Sequence, residues 1–190
     1  MAFEDYKKKD SVVVVYTGDG KGKTSASLGL LVRALGTDWR VSYVQFVKTW
    51  EVGEHKAIRS MQEIYKDKLE LHIGGKGFYN AGDISAKDVS DDEHKKAAEA
   101  TFTVAKEAIA SGKQDIVICD EINNSVHDGL LDQSALEELI ELSREHTVHL
   151  CMTGRNFPSE LIEKCDIVTE MKKLRHHFDD KYLANPGIDF

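Results

Sequence analysis

Four consecutive valines at positions 12–15 open the first apolar run of the chain, and β-branched residues without alternation read as a strand buried on both faces. From 23 to 35 the residues Leu28, Leu31, Val32 and Leu35 fall at i, i+3, i+4 and i+7, one face of a helix, with Gly36 as its stop. The run VSYVQFV at 41–47 predicts a second strand, 54–66 a helix, and 69–73 a short third strand. Ser90-Asp91-Asp92-Glu93 has the form of a capping box. It predicts a long helix to about 111, buried along Ala97, Thr101, Val104, Ala105 and Ala108 and ended by Gly112. Apolar runs at 116–119, 148–152 and 167–168 predict three further strands. A helix over 134–144 turns Leu136, Leu139 and Ile140 inward, and a short helix begins near Pro158. Short apolar strands alternating with helices predict an α/β fold, a mostly parallel sheet of about six strands flanked by helices.

Residues 1–190 read as a single domain, with 1–10 a loosely held start and 172–190 a polar C-terminal tail. The net charge of −8 argues against nucleic-acid or membrane-surface partners, because an acidic chain is repelled by a phosphate polymer. Three cysteines, Cys119, Cys151 and Cys165, lie in or beside apolar runs; their odd number and spacing suit neither a disulfide framework nor a metal site. No apolar run is long enough for a signal peptide or a membrane span, which makes the cytoplasm the expected compartment.

The chemistry concentrates where the first strand ends. The stretch TGDGKGKTS at 17–25 carries Gly18, Gly20 and Gly22 in five positions, then Lys23 and Thr24 at the start of a helix. Closely spaced glycines let several backbone N–H groups point at one anion, and the helix start adds its own free N–H groups and the positive end of its dipole. Lys23 supplies a mobile positive charge and Thr24 a hydroxyl suited to Mg²⁺. The strict G-x-x-x-x-G-K-[ST] pattern is not met, since position 17 is Thr17, and the loop carries an extra base and acid, Lys21 and Asp19.

Other polar residues fall at the same ends of the predicted strands, where parallel α/β sheets hold their ligands. Gln45 and Lys48 fall at the end of the second strand, and Phe78 follows the third, Asp120-Glu121 the fourth and Arg155 the fifth. Two acids after an apolar strand suit the second metal-holding element of a nucleoside triphosphate site, although a solvated acidic turn reads the same. Arg155 suits phosphate oxygens or a plain surface, and Arg33 a nucleotide or a helix-surface ion pair. Phe78 and Tyr79 suit a flat ligand or a core anchor, and His176-His177 a solvated tail before a ligand site. No protein nucleophile stands beside a base. The residues alone read as a Mg-dependent nucleotide enzyme or switch with an unspecified second substrate.

The phrases TGDGKGKTSASLGLLVRALG, VQFVK, GE at 53–54, GKGF at 75–78, DEI at 120–122, TGR at 153–155, DIVTEM at 166–171 and the closing GIDF together resemble the P-loop-type ATP:corrinoid adenosyltransferases. The resemblance implies a P-loop NTPase (RecA-like) fold. It implies transfer of the 5′-deoxyadenosyl group of ATP to the Co(I) of a reduced corrinoid, cob(I)alamin or a precursor, with release of tripolyphosphate. By the same resemblance Gly18, Asp19, Gly20, Lys21, Gly22, Lys23, Thr24 and Ser25 would hold the triphosphate. Thr24, Asp120 and Glu121 would stand near Mg²⁺ or Mn²⁺, and Arg33 and Arg155 would serve the nucleotide. Phe78, with Tyr79, would press on the corrinoid, and Lys23 and Phe78 would carry the catalytic positioning. A homodimer and a reducing flavoprotein partner are implied as well. The family's aromatic loop usually reads G-F-T-W, where this chain has Gly77-Phe78-Tyr79-Asn80. The competing readings are a kinase or ATPase acting at the γ-phosphate and a non-catalytic corrinoid-binding module.

Overall fold

The computed structural model describes residues 5–77, 79 and 88–190. Six strands form one sheet in the order β3-β2-β4-β5-β1-β6, with every neighbouring pair parallel. The strands are β1 Val13–Thr17, β2 Val41–Gln45, β3 Leu69–Ile73, β4 Ile116–Asp120, β5 His149–Thr153 and β6 Ile167–Glu170. Among the described residues five α-helices connect them: α1 Lys23–Gly36, α2 Gly53–Tyr65, α3 Asp91–Ala110, α4 Ile122–His127 and α5 Ser134–Glu145.

The valine run is apolar throughout because both its faces are covered. Val13 and Val15 join α3, α4 and α5 in one core through Ala98, Ala105, Ile109, Ile122, Leu136 and Leu139. Val14 faces the other way, into a second core with Leu31, Ala34 and Leu35 of α1 and Ile58 of α2. Helices on both faces leave only the strand ends for chemistry.

Several expected boundaries shift for local reasons. Gly36 lies inside α1, and Thr37 closes the helix with its N–H and hydroxyl on the Arg33 and Ala34 carbonyls. Ser90 caps α3 as the capping box requires, its hydroxyl accepting the Glu93 N–H at 3.3 Å and the Glu93 carboxylate accepting the Ser90 N–H at 2.9 Å. The buried stripe of α3 is His94, Ala98, Thr101, Ala105 and Ile109; Thr101 and Ala105 are as expected, while Ala97, Val104 and Ala108 are only half-buried beside it. Alanines on several sides of that helix blur its apolar face. The segment after Pro158 is a 3₁₀ turn, Ser159–Lys164. Lys9, in the stretch expected to be loosely held, forms an ion pair with Asp166.

The start of β1 is tied to β5 by a side chain. The Val12 N–H donates to Nδ1 of His149 at 2.9 Å, and the imidazole stacks on Trp39 with ring centroids 4.7 Å apart and planes within 5°. Burial holds His149 below the ordinary histidine range, with Asp115 opposing. A folded state that binds its proton less readily than the unfolded chain loses stability as pH falls below about 6.5. Protonation also removes the acceptor for Val12. Urea unfolding at about pH 7.5 and about pH 5.5 is expected to show lower stability at the acid end, with a smaller difference in His149→Gln.

Candidate functional site

The phosphate-type loop between β1 and α1 is held from outside by the chain that leaves β6. The Gly20 N–H donates to the Met171 carbonyl at 2.6 Å, and the Met171 N–H donates to the Thr17 carbonyl at 2.8 Å. A Cβ on Gly18 or on Gly20 would sit 2.5 Å from that Met171 oxygen, so both positions require glycine for close backbone approach. Gly22 has φ 113 and forms the α1 N-cap without a side chain to satisfy the first helical N–H groups. Those donors stay available to an anion. Lys23 folds back across the loop and donates to the Gly18 carbonyl at 2.7 Å and the Gly20 carbonyl at 2.8 Å. Burial draws the Lys23 ammonium down from the ordinary lysine range and the Arg155 charge adds to this, while Asp19, Glu121 and Asp120 oppose it. Two cations set against each other in this way favour an anion between them.

Parallel register builds the second part of the site. Gln45 of β2 pairs with Asp120 of β4, and the Cys119–Met152 pairing brings Asp120 to the level of Thr153 at the end of β5. Asp120 is wholly buried and its carboxylate is filled by protein donors. One oxygen accepts from Thr153 at 2.7 Å and Ser27 at 3.4 Å, the other from Gln45 at 3.1 Å and Thr24 at 3.2 Å. Behind Gln45 stands the buried His55. Its Nδ1 accepts the Val52 N–H at 3.4 Å, leaving Nε2 to donate to the Gln45 carbonyl oxygen. The chain His55–Gln45–Asp120–Thr24 therefore fixes where the first helical turn presents its threonine.

Glu121 differs from its neighbour. It takes φ 64, an uncommon left-handed conformation for a non-glycine residue, and its N–H donates to Thr153 Oγ1 at 2.9 Å. Its Oε2 is buried and has no hydrogen-bond partner. Burial pushes its carboxyl up to about 7, with Asp120 adding to the push and Lys48 and Lys23 opposing. Lys48 donates to Glu54 at 2.7 Å in a pair whose side chains are each 10% exposed. Burial alone would pull the Lys48 ammonium down; Glu121, Glu54 and Asp120 outweigh it and hold it above the ordinary lysine range.

Of the two acids, Asp120 organises and Glu121 remains available. A buried carboxylate oxygen without a donor, one strand end from a threonine hydroxyl at a helix start, fits a hard divalent cation. Among the described residues no three His, Cys, Asp or Glu side chains gather as a metal site. A cation here would draw its remaining ligands from phosphate oxygens and water.

The other expected residues divide. Asp19, Lys21 and Ser25 lie exposed on the loop and first turn, and Lys21 pairs with Asp189 at 2.6 Å. Arg155 is exposed at the end of β5, its N–H held by Asn124 Oδ1 at 2.8 Å, so its turn docks on α4. Arg33 lies in the last turn of α1, about 15 Å along the axis from Lys23, and the helix does not bring the two together. Tyr79 packs against His94, with ring centroids 5.1 Å apart, at the edge of the core. Phe78 and Asn80 lie outside the described residues. His176 and His177 organise their own segment: His176 Nδ1 accepts the Phe178 N–H at 3.1 Å, and His177 Nε2 stands 3.2 Å from the Leu183 carbonyl.

The sequence reading missed His55, Ser27 and Thr153 as supports of the site. The signal for Thr153 was its place at a strand end; Ser27 and His55 carried none, since only the folded packing turns them toward Asp120 and Gln45.

Comparison with known proteins agrees with this geometry. The family model described as ATP:corrinoid adenosyltransferase BtuR/CobO/CobP matches residues 9–190. A corrinoid adenosyltransferase from Sinorhizobium sp. is 31% identical over 180 residues, covering 94% of this chain and 80% of its own. One from Pseudomonas aeruginosa is 32% identical over 180 residues, covering 94% and 83%. The corrinoid adenosyltransferase CobA of Salmonella typhimurium is 30% identical over 187 residues, covering 97% and 88%.

Proposed function

The chain belongs to the ATP:corrinoid adenosyltransferase family, and from that membership we propose how its residues carry the reaction. The enzyme is a transferase with ATP and a corrinoid as substrates. Co(I) of the reduced corrinoid donates its electron pair to the 5′ carbon of ATP. A Co–C bond forms as the C5′–O bond breaks, the bond pair leaves with tripolyphosphate, and the cobalt is oxidised to Co(III). The nucleophile is thus the substrate's metal, and the protein positions two substrates and stabilises the leaving charge.

What supports this reading is a glycine loop with free helical N–H groups and two cations, beside a site without an activated protein nucleophile among the described residues. Lys23, Arg155 and the free N–H groups of the first turn of α1 would meet the phosphate oxygens. Burial raises the Cys119 and Cys151 thiols well above the ordinary cysteine range and Cys165 to about 11, which leaves no thiolate at neutral pH. Mg²⁺ would be held by Glu121 and Thr24, with Asp120 fixing Thr24; bound there it would neutralise charge on the phosphates. The family resemblance supports a cytoplasmic homodimer supplied with Co(I) by a reducing flavoprotein, and Phe78 on the corrinoid face. In the described residues no helix is long and apolar enough to cross a membrane.

One anaerobic incubation tests the reaction class. The protein, chemically reduced cob(I)alamin, ATP and Mg²⁺ are expected to yield a light-sensitive alkylcobalamin and one tripolyphosphate per corrinoid. ADP without alkylation would overturn the reading in favour of a phosphoryl-transfer enzyme.

A further inference from the structure

The turn at 185–190 ends on the GIDF phrase, which the reaction above leaves without a role. Asp189 anchors this turn. Its side chain is 7% exposed and its carboxylate pairs with Lys21 of the phosphate loop at 2.6 Å. The same carboxylate accepts the Asn185 N–H at 2.7 Å, and His177 Nε2 stands 3.5 Å from it. The next residue reaches a different strand's exit. A Cβ on Gly53, the first residue of α2, would lie 3.6 Å from the Phe190 carbonyl carbon. In the strand order β4 and β5 separate β2 from β1, so the turn links the chain after β1 to the chain after β2. The ends of β4 and β5, with Asp120, Glu121 and Arg155, come between those two anchor points.

Lys21 lies between Gly20 and Gly22, the residues that shape the anion cradle, and its side chain is 42% exposed. Resting on the triphosphate assignment above, we propose that Asp189 is a tethered competitor for Lys21. It holds the ammonium when no phosphate is bound, yields it to the triphosphate of ATP, and reclaims it as tripolyphosphate departs.

The physical case is one of product release. Adenosyl transfer leaves a polyanion in a cradle of N–H groups and cations, and each contact that bound ATP now retains the product. A carboxylate fixed beside one of those cations acts at high effective concentration, without a second molecule. The Asn185 N–H pre-places it, which lowers the ordering cost of re-forming the pair. The competition concerns Lys21 alone. Lys23, on the inner side of the loop, donates to the Gly18 and Gly20 carbonyls and is not engaged by Asp189.

The test is equilibrium binding of tripolyphosphate with Mg²⁺ to the full chain and to Asp189→Asn, Asp189→Glu, Lys21→Ala and the double variant Lys21→Ala/Asp189→Asn. Asp189→Asn is expected to bind tripolyphosphate about threefold to fivefold more tightly, the upper part of the range for an ion pair with one partner in solvent. Product inhibition of adenosyl transfer should deepen by the same factor, and Asp189→Glu should behave as the parent chain. In the Lys21→Ala background the Asp189→Asn change should have little further effect. Unchanged or weaker binding by Asp189→Asn would overturn the proposal, as would full tightening that persists without Lys21. A parent chain that failed to bind tripolyphosphate at all would overturn the triphosphate assignment, and this inference with it.

Discussion

Lys23→Ala is expected to lower the turnover of adenosyl transfer by about 10²–10³-fold, the range observed when one preorganised donor to a developing anion is removed. Negative charge grows on the bridging oxygen as the C5′–O bond breaks, and in the proposed mechanism Lys23, the first residue of α1, meets it. Its present bonds to the Gly18 and Gly20 carbonyls show that the ammonium reaches into the loop. An incoming phosphate would take over those donors and leave the two carbonyls to water. In the ligand-free chain burial and the Arg155 charge already disfavour the Lys23 ammonium and offset its two hydrogen bonds, so thermal unfolding should shift by only a few degrees, about 1 kcal/mol or less. Lys23→Arg keeps the charge but replaces a compact ammonium with a broad planar fork, and partial activity is expected. Rates should be measured with preformed Co(I), so that no reduction step limits them. Near-normal turnover of Lys23→Ala would remove Lys23 from the triphosphate and the phosphate cradle from the mechanism.

The sequence made the sheet legible because its strands are buried on both faces. Runs such as the valines at 12–15 and IVIC at 116–119 are short and rich in β-branched residues, and each delivers its polar residues at one edge. Short local signals were equally readable: the capping box at Ser90 and the glycine loop depend on neighbours a few residues away. Register was not readable. Gln45, Asp120 and Thr153 are isolated polar residues until three strands are aligned, and only then do they form one hydrogen-bonded row. The helix Ile122–His127 is too short to show a period, so Asp120-Glu121 read as a plain acidic turn or a pair of equivalent metal ligands. The fold separates the pair, filling the Asp120 carboxylate with four donors and leaving Glu121 Oε2 with none. Contacts between distant segments were invisible for the same reason. Met171 under Gly18 and Gly20, and Asp189 on Lys21, join residues more than a hundred positions apart. Arg33, which the residues alone left open between a nucleotide and a helix-surface ion pair, lies in the last turn of α1, about 15 Å along the axis from Lys23.

Glu121→Gln should make the protein more stable and less active, and the two effects should separate with pH and Mg²⁺. The folded chain buries this carboxyl beside Asp120 and leaves one oxygen without a donor, and its titration is pushed up to about 7. An unfolded glutamate titrates near 4.3. Between those values the folded state binds more protons than the unfolded state, so stability falls as pH rises across that window and stays low above it. Replacing the acid with a neutral amide removes the penalty. At about pH 8, without Mg²⁺, the gain should be on the order of 2–3 kcal/mol, or about 5–10 °C in Tm for a chain of this length. At about pH 4, below both values, the gain should be close to zero. Activity should move the other way, falling about a hundredfold or more, because an amide oxygen is a poor substitute for a carboxylate on a hard cation. Mg²⁺ and ATP together should stabilise the parent chain by mass action and stabilise Glu121→Gln much less, narrowing the gap between them. A Glu121→Gln protein that is less stable at pH 8 would mean that its carboxylate is satisfied in the folded state. One that keeps full activity would mean that the cation is held elsewhere.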